Sequence, residues 1–165
     1  IKYKKAYFQK FKNLWHHGDY AEITKNGGFI IYGRSDATLN PGGVRLGTSE
    51  IYSVVDKFDE IKESIVIGQQ WDNDIRIILF VVLKNTEKLT ENLKIKLKKK
   101  IRHHASPRHV PAKIISVLDV PRTKNGKIVE LAVKNLIDGN EILNKEALAN
   151  PEALSQFENL KELSY

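Results

Sequence analysis

The spacing of apolar residues changes along the chain, and each spacing predicts a different element. Residues 61–70 and 75–84 are rich in Ile and Val and are separated by the turn sequence Trp-Asp-Asn-Asp, which predicts two paired strands. Further on, Leu93, Leu97 and Ile101 recur every four residues, which predicts a helix with one buried face. A sheet that is covered by at least one helix follows from these two patterns.

The N-terminal part predicts a β-hairpin that is preceded by a helix. Residues 20–24 and 29–32 have strand-like patterns and flank a turn at 26–28. Residues 1–17 mix aromatic residues and lysines in a pattern typical of a helix. Two strands alone are marginally stable in water, so we expect this hairpin to pack on a larger body.

Small and turn-forming residues dominate the segment that follows the hairpin. The Pro-Gly-Gly sequence at 41–43 predicts a tight turn between two short strands. Thr48 and Thr90 each precede a helical pattern and are predicted as N-caps. The capping box after Thr48 is incomplete, because Ile51 stands three residues after the cap and has no polar side chain to return the hydrogen bond.

The C-terminal part predicts a short strand, a tight turn and a final helix. The strand lies within 109–121, and the Asn-Gly pair at 125–126 favours a turn because both residue types tolerate positive φ. A helix is predicted at 129–137, and residues 140–165 form a polar, partly helical tail with a break at Pro151. This order of elements predicts an α+β fold in which a mixed sheet and about three helices span roughly a hundred residues.

Composition narrows the class of protein. Of 165 residues, 41% are hydrophobic and 28% are charged, which is typical of a globular domain, and no stretch approaches the ~20 apolar residues of a membrane span. There is no cysteine, which excludes disulfides and thiolate metal sites and fits the cytoplasmic location that we expect. The chain begins with Ile1, contains no methionine and has no signal-peptide pattern, so we expect a fragment or a processed product.

The formal charge of +7 indicates attraction to a polyanion. The most basic stretch, residues 93–109, is predicted to be the solvated face of an amphipathic helix. The alternative is a free-standing basic α+β module that binds RNA, but the stretch lacks interleaved aromatic residues and any recognised module.

The histidines do not have the spacing of a metal site, because adjacent histidines diverge in direction and no carboxylate recurs at ligand spacing. They are His16, His17, His103, His104 and His109. We therefore expect no metal site that is built by this chain.

Two glycine-rich segments superficially match nucleotide-binding motifs. Residues 42–47 lack the spacing of a dinucleotide fingerprint after a buried parallel strand. The segment before Lys127 has Pro121 where a P-loop has its first glycine and Ile128 where it has Ser or Thr. Both assignments fail, which leaves charged residues near glycines as the candidate site: Asp19, Arg34, Asp36, Arg45 and Lys127.

In this order and with these neighbours, the candidate residues lie in segments that resemble the C-terminal motifs of the adenylate-forming superfamily. "HGDYAEI" resembles its ribose-binding motif, "YGRSDATLNPGGVRLGTSEIY" its hinge motif and "PRTKNGKI" its terminal motif. The superfamily comprises acyl-CoA synthetases, peptide-synthetase adenylation domains and luciferases. The hinge motif, "ASPRHVPAKII", "GKIVELAVKNLIDG" and "ALANPEAL" resemble most the synthetases that activate acetoacetate. This chain departs from many relatives soon after the terminal lysine, where they have an arginine and it has Val129, Glu130 and Leu131.

The resemblance implies a division of the chain. Residues 1–33 would be the end of a large N-terminal adenylation domain, including the helix and the β-hairpin. Residues 34–36 would be the hinge, 37–139 the mobile C-terminal domain and 140–165 a tail. The rest of the N-terminal domain would hold the acyl pocket and the ligands of Mg²⁺.

The resemblance also implies a role for each candidate residue. Asp19 and Arg34 would bind the ribose of ATP or AMP, with Arg45 near a phosphate, and Asp36 would be the hinge residue. Lys127 would be the catalytic lysine of adenylate formation. CoA would be bound by two further positions, Gly43 and Arg102. The implied substrates are acetoacetate, ATP with Mg²⁺, and CoA, and the implied product is the thioester, with no role for nucleic acid or a membrane.

Overall fold

The chain folds around a small mixed sheet, as seen in a computed structural model that describes residues 2–35, 37–84, 87–142 and 145–165. Its helices and strands are, in chain order, α1 (Lys2–Phe8), β1 (Asp19–Ile23), β2 (Phe29–Arg34), α2 (Thr48–Val55), β3 (Ile61–Trp71), β4 (Asp74–Leu83), α3 (Glu91–His104), β5 (Lys113–Val117) and α4 (Glu130–Ile137). The predicted α+β class is confirmed. None of the helices in the described ranges is long and apolar enough to span a bilayer.

Strand β4 is the centre of a three-stranded sheet with the order β3-β4-β5. β3 and β4 are antiparallel, with Trp71 paired to Asp74 across a turn whose two residues, Asp72 and Asn73, have positive φ. β5 is parallel to β4, because α3 provides the crossover that a parallel pair requires. The paired strands predicted at 61–70 and 75–84 and the short strand within 109–121 are confirmed.

The two faces of this sheet pack against different layers. Alternate residues of β4 point to opposite faces, so Leu79 packs with α2 and α3, and Phe80 packs with α4 and the C-terminal tail. On the first face Leu93, Leu97 and Ile101 of α3 are buried, as their spacing predicts. The mixed sheet is therefore covered by helices on one side and by α4 and the tail on the other.

The tail contributes directly to the second core layer. Residues 145–165 contain three 3-10 segments, Lys145–Ala147, Pro151–Phe157 and Lys161–Leu163, and they bury Leu154 and Phe157. The ring of Phe157 meets that of Phe80 edge to face, with ring centroids 4.9 Å apart. The predicted break at Pro151 is confirmed, because the segment Lys145–Ala147 ends before it and the proline begins the next 3-10 segment, a position where its missing N–H costs no hydrogen bond.

Predictions of the helix starts are of mixed accuracy. Thr90 caps α3, and its hydroxyl accepts a hydrogen bond from the Leu93 amide at 3.2 Å. Thr48 is the first residue of α2 rather than its cap, which is Gly47. The carboxylate of Glu50, in the first turn of α2, accepts a hydrogen bond from the Gly47 amide at 3.4 Å. This bond stabilises the helix start in place of a side-chain cap. Helix α1 is also shorter than the predicted helix at 1–17.

Candidate functional site

The hairpin of β1 and β2 brings Asp19 and Arg34 together. They are partners across the two strands, one at the start of β1 and the other at the end of β2. The guanidinium Nη1 of Arg34 lies 3.8 Å from Asp19 Oδ1 and donates to the carbonyl of His17 at 3.1 Å. The imidazole Nδ1 of His17 bonds to the other carboxylate oxygen of Asp19. The open end of the hairpin therefore carries an ordered carboxylate and guanidinium.

A glycine permits this arrangement of Arg34. Gly18 has φ +94, and a Cβ at this position would lie 2.7 Å from Arg34 Nη2. The carbonyl of Gly18 also accepts two hydrogen bonds from Ser35, one from its amide at 2.8 Å and one from its hydroxyl at 3.0 Å. The path of the chain is thus fixed up to Ser35. Asp36, the expected hinge residue, lies outside the described residues.

The loop at 40–47 places Arg45 beside the same hairpin. Leu39 and Leu46 form a two-residue bridge, with hydrogen bonds of 3.1 and 2.8 Å, that closes the loop at its base. The guanidinium carbon of Arg45 lies 5.3 Å from the ring centroid of Tyr20 in β1, which is a cation–π contact. Arg45 therefore lies near the residue that follows Asp19 in the sequence.

The tip of this loop is held by a carboxylate from the sheet. Asp74 accepts the Gly42 amide with both oxygens, at 2.9 and 3.0 Å. The backbone amides of Ile75 and Gly42 lower the pKa of Asp74. The next residue, Gly43, has φ +74 and open space where a Cβ would be, so a ligand can approach its backbone closely.

The hairpin and the start of α2 are joined by direct contacts. The hydroxyl of Ser49 donates to the Tyr32 carbonyl at 3.0 Å. A Cβ on Gly47 would lie 2.4 Å from that same carbonyl oxygen, so only glycine fits there. These contacts hold the start of α2, and the loop that carries Arg45, against the hairpin that carries Asp19 and Arg34.

Lys127 lies on a separate turn. The Thr123 amide donates to the Lys127 carbonyl and the Gly126 amide donates to the Thr123 carbonyl, both at 2.8 Å. The Lys127 amide in turn donates to the Thr123 hydroxyl at 3.2 Å. Gly126 has φ +78, which the predicted Asn-Gly turn requires. The backbone of the turn is therefore ordered while the Lys127 side chain is exposed.

Arg102 lies in the last turn of α3 and is exposed. The contacts described above thus join Asp19 to Arg34 and place Arg45 against the same hairpin, whereas Lys127 and Arg102 belong to two other elements. No group of three or more metal-ligating side chains occurs in the part of the chain that the structure describes.

Two polar pairs next to the candidate site were not found by sequence reasoning. The hydroxyl of Tyr52 donates to Glu130 and accepts the Val66 amide at 2.9 Å. Burial, together with the carboxylate of Glu130, raises the pKa of Tyr52 well above its ordinary value. The second pair joins Nε2 of the buried His109 to the Glu50 carboxylate at 3.0 Å. Both pairs join residues that are more than 50 positions apart, and local patterns carry no signal for them.

Comparison with known proteins places this fold in a family. Residues 50–127 match the sequence model of the AMP-binding enzyme C-terminal domain. The chain is 60% identical over 162 residues to the acetoacetyl-coenzyme A synthetase of Rhizobium meliloti. The aligned region covers 98% of this chain and 25% of that protein. It belongs to the AMP-binding, adenylate-forming enzyme family. The family predicted from the three motifs is confirmed.

Other members of the AMP-binding family agree in sequence and structure. The acetoacetyl-CoA synthetase of Gallus gallus is 45% identical over 164 residues, covering 98% of this chain and 25% of that protein. The structure of acetoacetyl-CoA synthetase from Streptomyces lividans superposes with a TM-score of 0.88 at 36% identity, over 99% of this chain and 25% of the other. A benzoate CoA ligase from Burkholderia xenovorans gives a TM-score of 0.67 at 27% identity, over 81% and 26%. The chain spans about a quarter of the length of these relatives.

Proposed function

We propose that this chain is the C-terminal part of a cytoplasmic ligase that joins acetoacetate to CoA at the expense of ATP, with AMP and pyrophosphate as products. The observation that carries the proposal is the similarity of nearly the whole chain to acetoacetyl-CoA synthetases. The chain alone is expected to be inactive, because the acyl pocket is proposed to lie in the remaining part of the protein.

The proposed division of the chain follows its motifs. Residues 1–33 complete the large N-terminal domain, 34–36 form the hinge, 37–139 form the mobile domain and 140–165 form the tail. The exposed apolar residues of the hairpin support the first part of this division, because Ile23, Phe29 and Ile31 are each more than half exposed.

In the first step, a carboxylate oxygen of acetoacetate attacks the α-phosphate of ATP, and the bond to the pyrophosphate oxygen breaks. Negative charge builds on the phosphate oxygens, and an ammonium group between them and the attacking carboxylate stabilises this charge and keeps the carboxylate in line. Lys127 is proposed for this role, supported by its exposed side chain on a turn with an ordered backbone. A lysine suits the position because its compact charge sits on a flexible stem.

The hairpin residues are proposed to hold the nucleotide. The Asp19 carboxylate accepts hydrogen bonds from the ribose hydroxyls, and Arg34 donates to the same sugar. Their proximity across the strand pair supports this assignment, since one sugar can reach both groups. Mg²⁺ would accompany ATP and neutralise part of its phosphate charge. The described residues contain no acidic cluster for it, so its ligands are assigned to the rest of the protein.

In the second step, the CoA thiol attacks the carbonyl carbon of the adenylate, AMP leaves and the thiol proton is released. The mobile domain is proposed to rotate about Asp36 between the steps, which removes Lys127 from the active site and brings the loop at 40–47 to it. Gly43 then lets the pantetheine arm pass along its backbone, supported by the open space beside it. Arg45 would contact a phosphate, and Arg102 would lie near the CoA nucleotide.

The identity of the acid is tested with the complete protein. ATP–pyrophosphate exchange is measured with acetoacetate, acetate, propionate and benzoate at equal concentrations. Exchange that is at least tenfold faster with acetoacetate supports the proposal. Exchange that depends on another acid assigns the chain to a different acyl-CoA synthetase, and binding of RNA without any exchange supports the alternative basic module.

A further inference from the structure

The C-terminal tail is hydrogen-bonded to a second, shorter hairpin, residues 122–128, which carries Lys127 and is closed by the pair of Arg122 and Ile128. Thr123 and Leu148 form an antiparallel bridge, and the amide of Ala149 donates to the Arg122 carbonyl at 2.8 Å. On its other side, Arg122 pairs with Ile128, the residue after Lys127. The tail therefore pairs with this hairpin through one antiparallel bridge and one backbone hydrogen bond.

Asn150 uses its whole side-chain amide at this junction. Its Oδ1 accepts the backbone amide of Arg122 at 2.8 Å. Its Nδ2 donates to Asp119 Oδ2 at 2.7 Å and to the Val120 carbonyl at 2.9 Å. One acceptor and two donors are thus satisfied by the segment 119–122, which leads from β5 to the turn at Lys127.

The side chain of Arg122 fixes the segment 119–122 to the sheet. Its Nη1 donates to Asp119 Oδ1 and to the Val120 carbonyl, both at 2.8 Å, and its Nη2 bonds to Glu63 in β3. Burial raises the pKa of Asp119, and the hydrogen bonds from Arg122 and Asn150 outweigh burial, so that the pKa lies below its ordinary value. The base of the hairpin is thus held by the sheet on one side and by the tail on the other.

Thr123 connects this fixed segment to Lys127 through hydrogen bonds. It follows Arg122 directly, bridges Leu148 of the tail and makes hydrogen bonds with both the amide and the carbonyl of Lys127. A displacement of the chain at Arg122 therefore moves the backbone from which the lysine side chain projects.

We infer that Asn150 is a positioning residue for Lys127, which means that the tail sets the place of the ammonium group in adenylate formation. This inference rests on the proposed function. Adenylate formation needs an accurately placed ammonium group, because a displacement of about 1 Å in a catalytic group can cost a hundredfold in rate. A tail that served only to cover the core would need its buried Leu154 and Phe157 but not this amide.

Gln156 provides a matched control. It is also a tail amide, and its Oε1 accepts a backbone amide of the main body, that of Leu118, at 2.5 Å. Leu118 lies before the Asp119 to Arg122 segment that Asn150 binds. Asn150→Ala and Gln156→Ala thus each remove one side-chain acceptor for a backbone amide, but only Asn150→Ala also removes contacts to the segment 119–122, which leads to the turn at Lys127.

The test compares these two variants in the complete protein. Hydrogen exchange of the peptide that covers residues 121–129 is expected to be at least about tenfold faster in Asn150→Ala than in wild type, and unchanged in Gln156→Ala. Acetoacetate-dependent ATP–pyrophosphate exchange is expected to lose about ten- to hundredfold in kcat in Asn150→Ala, with little change in KM for ATP. Conversion of supplied acetoacetyl-adenylate to the thioester is expected to stay at the wild-type rate.

Several results would overturn the inference: unchanged hydrogen exchange in the hairpin, equal loss of both half-reactions, or equal effects of the two variants. If the wild type shows no acetoacetate-dependent exchange, the proposed function fails, and hydrogen exchange alone then decides whether Asn150 holds the hairpin. If Asn150→Ala does not fold, the isosteric Asn150→Asp replaces it. Asn150→Asp retains the acceptor for Arg122 but faces Asp119 with a second carboxylate, and the same selective loss is expected.

Discussion

At the scale of single residues, the most informative contact is the one between Tyr52 and Glu130. Glu130 is the first residue of α4, and its carboxylate accepts a hydrogen bond from the partly buried hydroxyl of Tyr52 on α2. The same hydroxyl accepts the Val66 amide of β3. One side chain thus ties the start of α4 to α2 and to the sheet.

Replacing Tyr52 by phenylalanine is expected to lower the free energy of unfolding by about 1–3 kcal/mol, because the buried Val66 amide loses its acceptor. Urea denaturation of wild type and variant measures the difference. Ser53→Ala serves as the control, since the hydroxyl of Ser53 is exposed and bonds only within its own helix turn. A Tyr52→Phe variant as stable as Ser53→Ala would contradict this role.

The pKa of Tyr52 adds a pH dependence to the same comparison. Because the folded pKa lies above the unfolded value of about 10, the protonated hydroxyl stabilises the fold below pH 10, and this contribution is lost as the pH rises further. Phenylalanine does not titrate. The stability difference between wild type and Tyr52→Phe is therefore expected to shrink above about pH 10, as measured by urea denaturation between pH 8 and 11. A difference that stays constant would contradict the raised pKa.

At the scale of elements, local sequence patterns predicted the secondary structure of a segment more accurately than its tertiary contacts. The turn at 41–43 follows from Pro and Gly, whose φ preferences act within a few residues. Its anchor, Asp74, is the first residue of β4, lies 32 residues away in the sequence and has no local signal. The start of α2 was misplaced for a similar reason, because Gly47 is required by the Tyr32 carbonyl rather than by the helix.

Asp74→Ala is expected to speed hydrogen exchange of the Gly42 amide at least about tenfold, because the amide loses its only described acceptor. In the complete protein the variant should also slow thioester formation more than adenylate formation. Asp72→Asn is the control, since asparagine tolerates the positive φ of that position. Equal exchange at Gly42 in both variants would contradict the anchoring.

The hydrogen bond from the Gly42 amide to Asp74 should weaken in wild type as the pH falls through the lowered pKa of Asp74, because protonation removes the charge that accepts the amide.

At the scale of the whole molecule, the tail was the part least well predicted. Its composition is polar, and its buried residues are spread one or two at a time over short 3-10 segments, so no helical stripe of apolar residues marks them. The sheet and its covering helix α3 were predicted because long runs and regular four-residue spacing are strong local signals. The second layer of the core, which pairs Phe80 with Phe157, depends on contacts across 77 positions.

Leu154→Ala in this layer is expected to destabilise the protein by about 2–5 kcal/mol, as for other large-to-small changes in a core. Leu118→Ala makes the same chemical change at a side chain that is 88% exposed and should stay within about 0.5 kcal/mol of wild type. Urea denaturation measures both. Equal effects of the two changes would show that the tail does not belong to the core.

The proposed function requires this chain to supply the ammonium group of Lys127 for adenylate formation. The most direct test measures both half-reactions of the complete protein in Lys127→Ala and in Lys124→Ala, which removes another exposed lysine of the same turn. Lys127→Ala is expected to lower acetoacetate-dependent ATP–pyrophosphate exchange by at least about a hundredfold and to leave conversion of supplied acetoacetyl-adenylate intact. Lys124→Ala is expected to change neither rate appreciably. Unchanged pyrophosphate exchange in Lys127→Ala, or loss of both half-reactions together, would contradict this requirement.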